Sequence, residues 1–282
     1  MPVAFLFVQL VAMLRMRVHR HVFMAVTLAG MLVLAGFTRY SASVWADYSS
    51  MLEVAARKAP MSVRAQAEYA TDLYNAERYD ESLLVVERAI LNIPDDALLR
   101  LSKTSILCKL GLLSDNELGQ AAAVISTAAY DPRAIAIYTT LTSSVVTGEC
   151  RGVSLDALQL MFTNMLQVPE NADPGSLRFS QIQYFIGYID VFANRPSHAI
   201  KAFEASLGAR PGAGHAMMMA AIMAGNEFHD EALHLSGLAL AHLEMTEQDD
   251  LTTERVRESD IRDFRATVEA DKAAALASGS SD

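Results

Sequence analysis

Residues 63–96, VRAQAEYATDLYNAERYDESLLVVERAILNIPDD, constrain the fold of this chain more than any other stretch. Their apolar residues recur at helical spacing, which predicts two amphipathic helices joined by a short turn. Such a hairpin cannot bury its apolar stripe alone and therefore implies similar hairpins stacked against it. A composition that is 52% apolar and only 7% aromatic also favours helices over sheet. The sequence therefore predicts an all-α stack of helical hairpins.

Small and apolar residues occupy five characteristic places in this hairpin. They are Ala70, Ser82, Val86, Ala89 and Pro94. With this pattern the segment resembles the tetratricopeptide repeat (TPR), in which small residues let the two helices pass closely and a proline closes the unit. The Trp and Gly usual in the first helix are replaced by Gln66 and Ala70, so the copy is degenerate. The resemblance implies a TPR-like α-solenoid that mediates protein–protein interaction.

The same pattern returns near the end of the chain and is weaker in between. The matching places are held by Gly187, Ala199, Phe203 and Pro211 within residues 180–212, and by Ala220 and Ala232 in a unit that starts at Ala213. The weaker helices are predicted over residues 97–111, 118–130, 132–146 and 155–168, with the clearest loop at 169–175. Apolar residues at helical spacing on a charged background, at 252–276, predict a C-terminal capping helix.

An uncharged segment near the N-terminus predicts a membrane anchor. Residues 22–38 would span roughly 25 Å as a helix, close to the lower limit for a transmembrane helix. Arg15, Arg17 and Arg20 precede this segment and only Arg39 follows it closely, which places the N-terminus in the cytoplasm and the repeats on the extracytoplasmic (periplasmic) side. The predicted layout is a cytoplasmic or interfacial segment (1–21), a transmembrane helix (22–38), a linker helix (39–60), a TPR-like domain (61–245), and a capping helix with a frayed tail (246–282).

Two alternatives for this segment stay open. Residues 44–46, Val-Trp-Ala, make a passable cleavage site for a secretory signal peptide, which would also export the repeats. A buried core helix of a soluble protein would leave the preceding arginines unexplained.

Charge and motif content exclude several functions. The four arginines within residues 1–40 leave a net charge of −14 on residues 41–282, and this surface would repel a nucleic acid. His229 and His234 are five residues apart, whereas a zinc-binding HExxH helix needs four. Cys108 and Cys150 have no metal-ligand spacing, so they are either a single disulfide or two small buried apolar residues. We therefore predict no metal, no cofactor and no enzymatic activity.

The predicted binding surface is the concave face formed by the first helices of the hairpins. The repeat register places on it Arg64, Thr71, Tyr74 and Asn75 from the first unit, and Gln181, Tyr184 and Tyr188 from residues 180–212. Such a groove is aromatic and nearly neutral, which favours an apolar or amphipathic segment of a protein partner. Alternatively, Tyr184 and Tyr188 only pack against the next hairpin.

Together these features predict a non-catalytic, membrane-tethered TPR scaffold in an envelope assembly. The order of basic cluster, apolar span, aromatic linker and helical repeats also resembles the extracytoplasmic tails of O-antigen ligase or polymerase-type membrane proteins. On that interpretation the chain is an accessory or truncated part of a glycan-transfer protein. A cytoplasmic assembly factor with an inverted anchor is a further alternative.

Overall fold

The computed structural model describes residues 20–131, 134–246 and 256–279, and within these ranges the chain forms helices and no strands. The predicted all-α fold is therefore confirmed. The chain divides into two compact units, residues 1–59 and 60–282, and each unit is considered by itself.

The first unit contains helices α1 (Arg20–Ala46) and α2 (Tyr48–Lys58). The helix α1 continues beyond the predicted span 22–38 because residues 39–46 contain no glycine or proline, and it ends before Asp47, where the backbone becomes extended. The Asp47 carboxylate then accepts a hydrogen bond from the Ser50 amide at 2.9 Å and caps α2. Residues 1–19 of the predicted segment 1–21 lie outside the described residues.

Within α1, Met24–Ser43 has a mean hydropathy of 1.3, and none of it is buried. It is the one helix in the described part of the chain that is long and apolar enough to cross a membrane. A signal sequence has the same properties.

The second unit is a stack of paired helices with a cap. Its helices are α3 (Val63–Asn75), α4 (Tyr79–Asn92), α5 (Ala97–Lys109), α6 (Asp115–Ile125), α7 (Ile135–Val146), α8 (Leu155–Met165), α9 (Pro169–Ala172), α10 (Leu177–Phe192), α11 (Pro196–Ala209), α12 (Ala213–Ala224), α13 (His229–Thr246) and α14 (Glu258–Gly279). The helices α3, α5, α7, α10 and α12, hereafter the first helices, pack against one another in that order. Each first helix except α7 also packs closely on the helix that follows it. This arrangement is a TPR-like α-solenoid, as predicted.

Three of the helix pairs cross at two small residues twelve positions apart. The crossing pairs are Ala70 with Ser82, Gly187 with Ala199, and Ala220 with Ala232, and all six residues are buried. In the first pair the Ser82 hydroxyl donates to the Ala70 carbonyl at 2.7 Å. Small side chains at these places allow the helix backbones to approach closely, so the predicted repeat register is that of the structure.

Every first helix is followed within three positions by a residue with left-handed backbone geometry. In the three regular pairs this residue follows the crossing residue by seven positions and is Glu77, Asn194 or Glu227, with φ of 57° to 66°. The corresponding residues after α5 and α7 are Gly111 and Gly148, with φ of 70° and 75°. Such a residue closes the helix end by turning the chain toward the second helix.

The middle of the stack is irregular. The helix α8 packs mainly on α6 and α10 instead of on α7. The predicted loop 169–175 is corrected, because residues 169–172 form the single turn α9, whose Asn171 side chain is fully buried. The Asn171 carbonyl oxygen accepts from the Tyr130 amide at 2.7 Å, and its NH₂ group donates to the carbonyls of Met165 at 2.9 Å and Ala128 at 3.3 Å. One amide side chain therefore fixes this turn to the segment before α7.

The helix α14 caps the C-terminal end of the stack. It packs on α13 and buries Ile261 and Val268, while most of its other side chains are exposed. This is the predicted capping helix with one docked face. Residues 247–255 and the predicted frayed tail beyond Gly279 lie outside the described residues.

Candidate binding groove

The first helices α3, α5 and α7 enclose a cleft of about 120 Å³. We call it the hydroxyl cleft, because six of its lining residues carry a hydroxyl group. It is lined by Ala70, Thr71, Tyr74 and Asn75 from α3, Ser82 from α4, Ser102, Ser105 and Ile106 from α5, and Ala136, Ile137 and Thr140 from α7. Small residues from all the contributing helices keep the cleft open, and no lining residue carries a charge.

Three of the six hydroxyl hydrogens in the cleft are already used within the chain. Ser82 and Ser102 donate to the backbone carbonyls of Ala70 and Leu98 at 2.7 and 2.8 Å. Thr140 donates to the Ala136 carbonyl at 2.9 Å. These side chains therefore offer an occupant mainly their methyl, methylene and acceptor surfaces.

Tyr74 is the largest side chain of the hydroxyl cleft. Its ring lies edge-on to Tyr79, with centroids 5.1 Å apart. Burial raises the pKa of its hydroxyl, and the neighbouring Ser105 opposes that rise only in part. The Tyr74 oxygen is buried and, among the residues that the structure describes, has no hydrogen-bond partner of good geometry. A buried phenol of this kind favours an occupant that supplies a hydrogen-bond acceptor.

The structure brings together three of the four residues predicted from the first unit. Thr71, Tyr74 and Asn75 line the hydroxyl cleft, whereas Arg64 does not. The Arg64 side chain is 79% exposed, and its Nε lies 2.8 Å from the Glu68 carboxylate one turn further along α3. Its charge is thus directed to a neighbour on the same helix.

The three residues predicted on α10 lie elsewhere. Tyr184 is half-buried, and its ring lies 6.1 Å from that of Phe203 in α11 and 5.9 Å from that of His215 in α12. Burial raises the pKa of Tyr184 to about 12. Gln181 is also half-buried, and its carbonyl oxygen has no hydrogen-bond partner among the described residues. On α10 the predicted groove residues therefore contribute to packing between hairpins as well as to the surface.

Tyr188 extends this surface toward the end of α10. Its ring lies 6.1 Å from that of Tyr184 and 5.0 Å from that of Phe192, which is 38% exposed. We call Tyr184, Tyr188 and Phe192 the aromatic stripe. It follows one face of α10, because its members are four residues apart.

Sequence reasoning missed the contributions of α5 and α7 to the hydroxyl cleft. Ser102, Ser105 and Ile106 recur at spacings of three and four, as do Ala136, Ile137 and Thr140. Aligning these weak helices with Thr71, Tyr74 and Asn75 of α3 would have indicated that they share a face.

No group of three or more metal-ligating side chains is placed to bind a metal within the residues that the structure describes. Among the described residues, His229 and His234 are not part of any such group. His234 instead lies 2.7 Å from the Glu204 carboxylate on α11.

The sequence matches no family model and no curated protein. Among solved structures, the chain is similar to MamA, with 15% identity, coverage of 67% of this chain and 96% of that chain, and a TM-score of 0.41. It is also similar to a thermophilic TPR protein of Thermus thermophilus, with 17% identity, coverage of 74% and 100%, and a TM-score of 0.40. For PilF of Pseudomonas aeruginosa the identity is 14%, the coverage 74% and 89%, and the TM-score 0.42. At these values we carry no partner or activity over to the chain, and the resemblance to O-antigen ligase tails stays a prediction.

Proposed function

We propose that the chain is a non-catalytic scaffold whose first helices hold a segment of a protein partner. The observation that carries the proposal is the hydroxyl cleft, because residues from three successive first helices converge on it. A surface shared by several hairpins is how helical repeat proteins bind extended or helical polypeptides.

The chemistry of the cleft selects its occupant. Its volume of about 120 Å³ is below the roughly 300–1,000 Å³ of small-molecule pockets. It suits individual side chains of a longer segment that continues over the surface. Since the lining residues are uncharged and partly apolar, we expect an uncharged apolar or amphipathic segment rather than an acidic or basic one. The backbone carbonyls of that segment would supply acceptors for the Tyr74 hydroxyl.

We further propose that α1 tethers the scaffold to a membrane as part of an envelope assembly. The span Met24–Ser43 is about 30 Å long as a helix, which matches the hydrocarbon core of a bilayer. Tyr40, Trp45 and Tyr48 are all more than 60% exposed, as expected of an aromatic belt at the membrane surface. A reporter fused after Asp282 and assayed on both sides of the membrane tests the orientation. Activity on the cytoplasmic side would overturn the periplasmic assignment.

Photocrosslinking tests the binding surface in the full chain in its native membrane. A photoreactive amino acid at Thr71 and, separately, at Thr140 probes opposite walls of the hydroxyl cleft. Leu91 on α4 is 84% exposed and is the control position. We expect one polypeptide adduct common to both cleft positions and absent at Leu91.

A filling substitution makes the test specific. Ala136 is exposed on the wall of the cleft, so Ala136→Trp should occupy it without disturbing the core and should abolish the adduct from Thr71. Ala123→Trp, at an exposed position of α6 outside the cleft, is the matched control and should leave the adduct intact. Equal adducts at Leu91, or an adduct that survives Ala136→Trp, would exclude the hydroxyl cleft as the binding site.

A further inference from the structure

The two cysteines of the chain meet in the core. Cys108 lies near the end of α5 and Cys150 in the turn after α7, and their side chains are 3% and 2% exposed. Both belong to the same apolar cluster, and each thiol is close enough to the other to shift its pKa. Two residues that are 42 positions apart in sequence are therefore side by side.

The chain on either side of the thiols is held in the same arrangement. Lys109, which follows Cys108, lies 2.6 Å from the carboxylate of Glu149, which precedes Cys150. The Cys150 amide donates to the Ser144 carbonyl at 2.9 Å, and the Ser144 hydroxyl donates to Glu149 at 3.2 Å. The turn is thus positioned on α5 by contacts that do not involve sulfur.

We propose that Cys108 and Cys150 form a dithiol–disulfide site that closes by exchange with a disulfide donor. A disulfide requires the two sulfurs to approach to about 2.05 Å, and the contact between Lys109 and Glu149 already holds the two flanking segments together. The proposal does not depend on the function of the hydroxyl cleft. The disulfide would link the end of α5 covalently to the turn after α7. Both α5 and α7 line the hydroxyl cleft.

The two thiols have different chemical roles. Interaction with Cys108 lowers the pKa of the Cys150 thiol, whereas interaction with Cys150, together with burial, raises the pKa of the Cys108 thiol. The Cys150 thiolate attacks a disulfide donor, forms a mixed disulfide and expels one thiol of the donor. The Cys108 sulfur then attacks the Cys150 sulfur and expels the second thiol. The two cysteines lose two protons and two electrons, and the donor is reduced to two thiols.

Exchange with glutathione tests the site in the full chain, solubilised in detergent. The chain is equilibrated with reduced or with oxidised glutathione, alkylated with a maleimide and analysed by intact mass and peptide mapping. In oxidised glutathione we expect both cysteines to become resistant to alkylation together. The intact mass should be two hydrogens below that of the reduced chain before alkylation, and a single peptide pair should link Cys108 with Cys150. The product should be monomeric.

Single substitutions separate the two roles. Cys108→Ser should stop at a glutathione adduct on Cys150, and Cys150→Ser should react more slowly than Cys108→Ser. Thermal unfolding of the reduced variants checks that they are folded, and an alanine substitution at the same cysteine replaces any serine variant that is not. Three results would overturn the proposal: native thiols that remain free in oxidised glutathione while the denatured chain oxidises, persistent mixed adducts on the unsubstituted chain, or disulfides formed only between chains.

Discussion

Gly187 of α10 lies so close to the ring of Phe203 in α11 that a β-carbon on Gly187 would be 2.5 Å from Cδ1 of that ring. The same β-carbon would be 3.2 Å from the Ala199 carbonyl oxygen. A rigid ring and a helix backbone cannot both move aside without disturbing the packing of this pair. Glycine is therefore required sterically at this crossing point of the two helices.

Replacing Gly187 should destabilise the solenoid. We expect Gly187→Leu to lower the free energy of unfolding by about 1–3 kcal/mol, because the added side chain overpacks the crossing. Gly119 in α6 has no atom within 4 Å of its β-carbon position, so Gly119→Ala is the control and should stabilise by about 0.5–1 kcal/mol. Thermal or denaturant unfolding measures both. Unchanged unfolding of Gly187→Leu would contradict the crossing geometry.

At the left-handed residues that follow the first helices, introducing glycine should stabilise the chain. Glu227 has a φ of 66°, which costs a non-glycine residue about 1–2 kcal/mol. We expect Glu227→Gly to stabilise the chain by up to about 1 kcal/mol after the entropy that glycine adds to the unfolded state. Gly148→Ala, at a φ of 75°, should destabilise by a similar amount.

The control for this pair is an exposed glutamate inside a helix. Glu269 of α14 has ordinary helical geometry, so Glu269→Gly should destabilise by about 1 kcal/mol. If Glu227→Gly and Glu269→Gly changed the free energy of unfolding in the same direction, the left-handed geometry of Glu227 would not explain the effect of glycine there.

The regular hairpins could be predicted because their constraints are local. Two small residues twelve positions apart are visible in the sequence, and Gly187 with Ala199 meets the same steric requirement as Ala70 with Ser82. The turn α9 could not be predicted in this way. Its proline and polar residues are typical of a loop, and the bond from Tyr130 to Asn171 that orders it joins residues 41 positions apart.

The candidate groove was predicted only where the repeat register was clear. Thr71, Tyr74 and Asn75 follow from the register of α3 and line the hydroxyl cleft. Ser105 and Thr140 belong to hairpins whose connections are irregular, so their register could not be fixed from the sequence. The packing of Tyr184 depends on its neighbours Phe203 and His215, and no local pattern specifies such contacts.

A buried acidic side chain joins three helices in the middle of the stack. Asp190 of α10 is 2% exposed, and its Oδ1 lies 2.7 Å from Nε of Arg195, which precedes α11. The same oxygen accepts a hydrogen bond from the Gln159 amide of α8 at 2.8 Å. The Arg195 Nη1 also contacts Asp156, whose side chain is 80% exposed.

Removing the buried partner should cost far more than removing the exposed one. Asp190→Ala leaves Arg195 without its buried partner, and we expect a loss of about 3 kcal/mol in the free energy of unfolding. Asp156→Ala removes a solvent-exposed partner of the same arginine and should cost less than about 1 kcal/mol. Denaturant titration of both variants measures the difference, and equal losses would show that burial of Asp190 is not decisive.

One arginine of the capping helix α14 bonds directly to the neighbouring helix α13. Arg265 of α14 donates from Nη1 to the Leu233 carbonyl at 2.6 Å and to the Ser236 hydroxyl at 3.0 Å, both on α13. We expect Arg265→Ala to weaken docking of α14 by about 1.5–3 kcal/mol, the contribution of hydrogen bonds from a charged group. Hydrogen exchange should then accelerate across residues 258–279 and stay unchanged in the earlier helices.

Arg262 provides the control on the same helix. It is 71% exposed, and within the described part of the chain it bonds to Glu258 of the same helix, so Arg262→Ala should leave the exchange of α14 nearly unchanged. Acceleration of equal size in both variants would indicate general loss of helix stability instead of loss of docking.

His215 should make the stability of the solenoid depend on pH. Burial between Tyr184 and the end of α11 lowers the pKa of its imidazole below the ordinary value of 6.5, and the nearby Arg210 charge acts in the same direction although the Arg210 backbone opposes it. The unfolded chain therefore binds this proton at a higher pH than the folded chain does. The stability contribution of neutral His215 is present above the unfolded pKa and is lost as the pH falls below it.

Between about pH 7.5 and about pH 5, His215→Phe should lose less stability than the parent chain, because phenylalanine keeps a ring beside Tyr184 and does not titrate. His198→Phe, at an exposed position of α11, should keep the slope of the parent chain, and a matching slope for His215→Phe would show that burial of this imidazole does not govern the pH dependence.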